Sequence, residues 1–374
     1  MKFICTKDNL SYALDLVCGV ASKHINLPIL SNVLVQVSES KVTLMATNLE
    51  VAVKANLRAK VEVTGEFTIP AKTLLDYVHL LPDEQVEIEL QGNEVLVKCG
   101  NSSTKIKGSP AEDYPVMPDI EEKISYVLNT DGFKESLSQV VFAAAKNEIR
   151  PELSGIYFGF FTERFSGLLI AATDSYRLAE KKVLVEQGKE TFETIVPARS
   201  VYEVIRLITI GKAKQSESTV RVWVSENQLA IRYDDFEMTT RLVDGKYPDY
   251  SQIIPAELKT NSVLPISVLI NKIKAASLFT TTGVNAVSFD LSPEQKMISI
   301  SSTSTQTGEH ASEIEAEVTG DESSILLNHR YVLDGLQNIN TDEVEFKVNS
   351  SDSPCVFKPK DNDEYLYIVM PIRQ

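Results

Sequence analysis

The residues of this 374-residue chain that could do chemistry are its four histidines, its four cysteines and its Gly-Lys pairs. His24, His79, His310 and His329 lie far apart, with no H-E-x-x-H and no His–Cys ligand spacing, so they read as ordinary surface or half-buried histidines. Gly188-Lys189, Gly211-Lys212 and Gly245-Lys246 lack the rest of a phosphate loop, so the chain should not hydrolyse a nucleotide. There is no G-x-S-x-G elbow for a nucleophilic serine. Asp361-Asn362-Asp363-Glu364 has neither the glycine at the sharp turn nor the twelfth-place ligand of a calcium loop, and reads as a solvated acidic turn. Cys5, Cys18, Cys99 and Cys355 form no C-x-x-C pair and are expected to be reduced structural thiols. No catalytic constellation is present, and neither a cofactor nor a metal is expected.

Charge is more informative than any of these groups. A net charge of −15 argues on its face against nucleic acid. The segments with helical periodicity, however, sum to roughly +6, leaving about −21 for the rest. Arg199, Arg206, Lys212 and Lys214, with Lys272 and Lys274, carry most of the excess. If those helices share one side of the molecule, that side is basic within an acidic shell. Such a surface binds a phosphate backbone without reading sequence.

The elements that would position these residues repeat along the chain. Ile69-Pro70-Ala71-Lys72-Thr73-Leu74-Leu75-Asp76-Tyr77-Val78 returns as Val196-Pro197-Ala198-Arg199-Ser200-Val201-Tyr202-Glu203-Val204-Ile205, a strand end followed by a Pro-opened helix. A worn third copy, without the proline, starts at Ile325. Upstream, the 8–21 segment (DNLSYALDLVCGVA) pairs with 131–144 (DGFKESLSQVVFAA), each expected to be capped by its first Asp. The spacing of roughly 120–130 residues exceeds that of solenoid repeats, so each unit should be a domain. The expected fold is α+β: three tandem similar domains, at 1–122, 123–253 and 254–374, each of two half-units reading strand, helix, antiparallel strands. The start lacks the apolar core of a signal peptide and no run approaches a membrane helix, so a cytoplasmic protein without a membrane partner is expected. The closing stretch, Tyr365 to Gln374, is expected to be an apolar strand running to the last residue, although termini tend to be polar and loose.

Four strings carry a resemblance: Leu27-Pro28-Ile29-Leu30, the 172–179 stretch ATDSYRLA, the 242–250 stretch LVDGKYPDY, and Val369-Met370-Pro371-Ile372-Arg373. With the triplication, they make the chain resemble the bacterial sliding clamp family, the DNA polymerase III beta subunits, over its whole length. The resemblance implies the DNA clamp fold and a head-to-tail homodimer closed into a ring, helices inside around duplex DNA and sheets outside. It implies a non-catalytic processivity factor that tethers replicative and repair polymerases, is placed on DNA by an ATP-driven clamp loader, and binds partners through short peptide motifs. Carried over by motif, the partner-binding cleft comprises Leu153, Thr173, Ser175, Tyr176, Arg177, Leu178, Pro248, Gln252 and Ile253, with Pro354 and Ile368, Val369, Met370, Pro371, Ile372 and Arg373. Arg177 and Arg373 are expected at its rim.

Family-like positions also put Lys23, His24, Lys146 and Arg150 toward DNA and Ile106 and Leu278 at the subunit seam. The chain departs from the family pattern in several places. Ser175 and Tyr176 are tolerated variants, Gln252 stands where some members carry Arg, and Gln374 ends the chain where an apolar residue is common. Pro151 and Glu152 replace aromatic residues of the DNA-contacting loop. The competing reading is an enzyme on repeated α/β domains with a site that no motif reveals. Solution mass discriminates the two, because a ring needs a dimer.

Overall fold

The structure, a computed structural model, describes residues 1–22, 26–116, 120–147, 149–214 and 218–373. Six α-helices are present among them: α1 (Lys7–Cys18), α2 (Ala71–His79), α3 (Thr130–Val141), α4 (Ala198–Lys214), α5 (Ile266–Ser277) and α6 (His329–Leu336). They alternate with antiparallel strands in the expected half-unit order.

The helix starts differ from the sequence reading in their chemistry. Thr6, not Asp8, caps α1: its hydroxyl accepts from Asn9 N at 3.3 Å, while Asp8 lies in the first turn. Asn129, not Asp131, caps α3, its side chain accepting from Gly132 N at 3.0 Å. Pro70 and Pro265 are the last strand residues and occupy the N-cap with extended ψ values of 111° and 122°, so each helix begins one residue later than the sequence suggested. The third copy replaces that proline with Asn328, whose side chain accepts from Arg330 N at 3.0 Å. A short polar side chain at that position satisfies an N–H that a proline leaves to water.

The chain forms two compact units, each drawing on two repeats. The first comprises residues 1–134, 185–188 and 199–242. It holds a five-stranded sheet and an eight-stranded sheet. The eight-stranded sheet takes four strands from residues 32–70 and four from residues 124–241, joined where Val51–Leu57 pairs antiparallel with Phe236–Arg241. Leu10, Leu14 and Val17 of α1 are fully buried, and α1 packs on α2 and on the Val42–Thr47 and Val51–Leu57 strands.

The second unit comprises residues 135–184, 189–198 and 243–374. Its nine-stranded sheet is joined in the same manner, Arg177–Val183 pairing with Tyr365–Val369. Its four-stranded sheet ends on Gly308–Glu315, against which α5 packs. In the five-stranded sheet of the first unit the corresponding edge is Ser102–Lys107.

Arg206 was expected to face DNA, and the structure gives its guanidinium a different task. Its Nη1 and Nη2 donate to Asp15 O (2.7 Å) and Leu16 O (2.6 Å), carbonyls in the last turn of α1, and Glu203 holds it from its own helix. A cation there satisfies carbonyls the helix cannot. Gly19, in the αR region, makes room: a Cβ would lie 2.5 Å from the Arg206 Cζ. Gly19→Ala is therefore expected to destabilise the first unit by about 1–2 kcal/mol, by displacing charge-assisted hydrogen bonds. Arg206→Ala should cost a similar amount, and the double variant little more, as read from chemical denaturation.

Candidate functional site

The second unit carries a cleft of about 520 Å³ lined by Ser175, Tyr176, Val284, Asn328, Tyr331, Met370, Pro371, Ile372 and Arg373. Its first wall is the turn 173–177. Thr173 Oγ1 donates to Arg177 O (2.6 Å) and accepts from Ser175 N (3.1 Å), while Asp174 Oδ1 accepts from Tyr176 N and Arg177 N (3.0 and 3.1 Å). Short polar side chains that bond their own backbone favour such a turn over continuing a strand. The turn forces Ser175 to φ 75°, and it leaves Ser175 and Tyr176 exposed at its tip. Tyr247 Oη accepts from Thr173 N (3.0 Å), tying the 247–250 segment beneath the turn.

The chain terminus makes the second wall. The last strand stops at Val369, and residues 370–373 leave the sheet. Met370 N donates to Tyr176 O (2.9 Å) and Ile372 N to Leu326 O (2.8 Å), so the tail is stapled between the turn and its neighbours. Ile368 and Val369 are fully buried in the strand, whereas Met370, Pro371 and Ile372 keep part of their surface in the cleft. The third wall is α6, whose Tyr331 ring stacks with Tyr176 (centroids 6.3 Å apart, 18° between planes).

Arg177 is not the rim cation the sequence suggested. It is 4% exposed, its Nε on Asp174 (3.0 Å), its Nη1 on Asp334 of α6 (2.6 Å) and its Nη2 on Phe142 O (2.9 Å). Burial alone would lower its pKa; Tyr367 and the carboxylates of Asp334 and Asp174 more than offset this, and the pKa is raised. Arg373 is exposed beside the cleft. Leu153, Leu178 and Ile368 form an apolar cluster with Tyr247 and Tyr250 behind the turn, with the half-buried Ile253 packed against it. Pro248 and Pro354 are half-buried and Gln252 is exposed, its Nε2 on Asp249 (3.3 Å). Sequence reasoning missed Val284, Asn328 and Tyr331. The last two lie in the third copy of the helix signature, whose spacing signals only a helix start.

The remaining expected residues lie as follows. Lys23 and His24 lie outside the described residues. Lys146 is exposed, and Arg150 is exposed but paired with Glu152 (3.0 Å). Arg199 and Lys274 are exposed on α4 and α5, with Lys272 half-exposed. Lys212 pairs with Asp131, and Lys214 donates to Asn9 Oδ1 (2.8 Å) and lies over the Tyr12 ring. Ile106 is 7% exposed within its own edge strand, and Leu278 is 71% exposed just after α5. The described residues contain no group of His, Cys, Asp and Glu that could hold a metal ion. Among them no helix is long and apolar enough to cross a membrane.

Models of the N-terminal, central and C-terminal domains of the DNA polymerase III beta subunit match residues 1–118, 127–249 and 251–373. The chain is 28% identical to the beta sliding clamp of Synechococcus elongatus over 380 residues, covering 100% of this chain and 99% of the relative. It is 27% identical to that of Haemophilus influenzae, covering 100% of both. Among solved structures, the DNA polymerase III beta subunit of Thermotoga maritima superposes with a TM-score of 0.91 at 28% identity, covering 100% and 99% of the two chains. The sliding clamp of Pseudomonas aeruginosa bound to griselimycin superposes with a TM-score of 0.93 at 27% identity, covering 100% of both.

Proposed function

The chain belongs to the DNA polymerase III beta subunit family, the DNA sliding clamps, and we propose that two copies close head to tail into a ring around duplex DNA. The observation that carries this is a pairing rule within the chain. The last strand of a first half-unit pairs antiparallel with the last strand of the next repeat: Val53 faces Met238 in the first unit, and Ala179 faces Tyr367 in the second. By the same rule the third repeat offers Gly308–Glu315 and the first offers Ser102–Lys107, and each ends its own sheet unpaired. A second copy completes both, which abolishes two exposed edges, and a head-to-tail contact that closes after two copies needs the two different ends this chain provides.

Carrying the register across puts Glu309 opposite Lys105 and His310 opposite Thr104. The first is an opposite-charge pair of the kind that supports cross-strand contacts. Ala311 then faces Ser103, both exposed in the single chain.

The ring is a passive, non-catalytic tether. It holds DNA through exposed cations such as Lys146, Arg199 and Lys274 and binds it weakly, without sequence preference, with an affinity that falls steeply with salt. The 520 Å³ cleft takes a short extended peptide with Leu and Phe anchors. Polymerases, repair factors and the ATP-driven loader would share it.

One experiment tests seam and link together. A chain carrying Ser103→Cys and Ala311→Cys is loaded on nicked circular DNA and bridged by a short bismaleimide. The expected product is a covalent two-chain ring that stays on the circle in high salt and is released when the circle is cut. Absence of the bridged dimer refutes the register; retention on linear DNA equal to that on circles refutes the topological link.

A further inference from the structure

We propose that Arg177 is the positioning residue of this cleft: it holds Tyr331 against Tyr176 as one aromatic wall and does not itself touch the bound peptide. This rests on the cleft reading above and adds the residue that gives the cleft its shape. Asp334 and Tyr331 lie nearly one turn apart on α6, so a single guanidinium can grip both. Its Nη1 bonds the carboxylate at 2.6 Å, and its carbon sits 4.8 Å from the Tyr331 ring centroid and 5.5 Å from that of Phe142. With Nε and Nη2 also engaged, the plane of the group is fixed. At 4% exposure it has no surface to offer a ligand.

The chain supplies its own control. The turn 47–51 of the first unit repeats the turn 173–177. Thr47 Oγ1 donates to Val51 O (2.9 Å) and accepts from Leu49 N (3.0 Å), and Asn48 Oδ1 accepts from Glu50 N and Val51 N (3.0 and 2.8 Å). Leu49 has φ 76°, matching Ser175 at 75°. Arg241 N donates to Glu50 O as Met370 N does to Tyr176 O. Tyr114 takes the place of Tyr247 in this copy, its Oη donating to Asn32 O at 3.3 Å. Val51 stands where Arg177 does, so the turn itself needs no guanidinium, and that of Arg177 is left for the helix it grips.

The test uses the full chain and a fluorescein-labelled peptide ending in Leu-Phe, followed by anisotropy. Arg177→Lys keeps the charge and loses the planar fork; it is expected to weaken binding about tenfold, as is Tyr331→Leu, each removing one aromatic contact surface. Because both act through the same wall, the double variant should bind no worse than the weaker single. The near-UV circular dichroism of the free protein should change alike in the two singles. Losses that multiply to about a hundredfold mean that Arg177 contacts the peptide directly, and overturn the proposal. Should Arg177→Lys fold poorly, Asp334→Asn loosens the same grip from a side chain that is 48% exposed; undiminished affinity there also overturns it. Failure of the unaltered chain to bind the peptide overturns the cleft reading instead, and this inference with it.

Discussion

Replacing Leu278 by Asp is expected to yield a folded chain that runs alone, at half the mass of the unaltered protein. Leu278 follows α5 and is 71% exposed, and its neighbour Phe279 stacks on His310 of the Gly308–Glu315 edge strand (5.7 Å, 12°). The leucine therefore stands beside the strand proposed to pair with a second copy. In a single chain the aspartate remains in water. Its main cost is an anion at a helix C-terminus, about 0.3–1 kcal/mol. At a closed seam it would be a buried charge without a partner, costing several kcal/mol, and a two-chain ring has two such seams. Each 1.4 kcal/mol is a factor of ten in the dissociation constant, so the ring should be lost at any ordinary working concentration. Light scattering coupled to size exclusion reads the result, and an intact dimer would rule this seam out. Ile106→Asp is a poorer probe: Ile106 is 7% exposed inside its own sheet, so a charge there unsettles the domain before it reaches the seam.

Ending the chain at Val369 is the second change with a large expected effect. Deletion of residues 370–374 removes one wall of the cleft and leaves the last strand whole. It breaks two backbone hydrogen bonds, Met370 N to Tyr176 O and Ile372 N to Leu326 O, together worth about 1–3 kcal/mol. Melting should fall by a few degrees, and the ring should persist. Affinity for the Leu-Phe peptide should drop more than about a hundredfold, since Met370, Pro371 and Ile372 would supply the central apolar contacts. Peptide binding that survives the deletion would put the partner site elsewhere. Collapse of the melt would mean that the tail belongs to the core, as a strand running to the terminus would.

The sequence exposed the repeat, and with it the helix–strand order, because periodicity and the Ile-Pro-Ala helix start survive in copies some 120–130 residues apart. The cleft's turn and tail were legible through the 172–179 and 369–373 strings. What escaped was the use each cation is put to. Arg177 and Arg206 look like surface charges in a sequence, and each is spent inside the protein on carboxylates or carbonyls contributed by distant segments. No local pattern reports a partner 157 or 191 residues away. Caps were misassigned for the opposite reason: Thr6 and Asp8, or Asn129 and Asp131, compete within three positions, and only the backbone angle selects between them.

Because the eight-stranded sheet is shared between the first and second repeats, its completion also has a timing. The Val51–Leu57 strand cannot acquire its outer neighbour until Phe236–Arg241 has left the ribosome. At synthesis rates of about 5–20 residues per second, that wait is on the order of ten to forty seconds. For that interval the nascent chain presents an open, largely apolar β-edge. Neighbouring ribosomes on one message carry the strand that fits it, so this junction is where two growing chains would exchange strands. Slower translation between the two strands is therefore expected to raise the share of strand-exchanged chains, read by size exclusion of the freshly made protein.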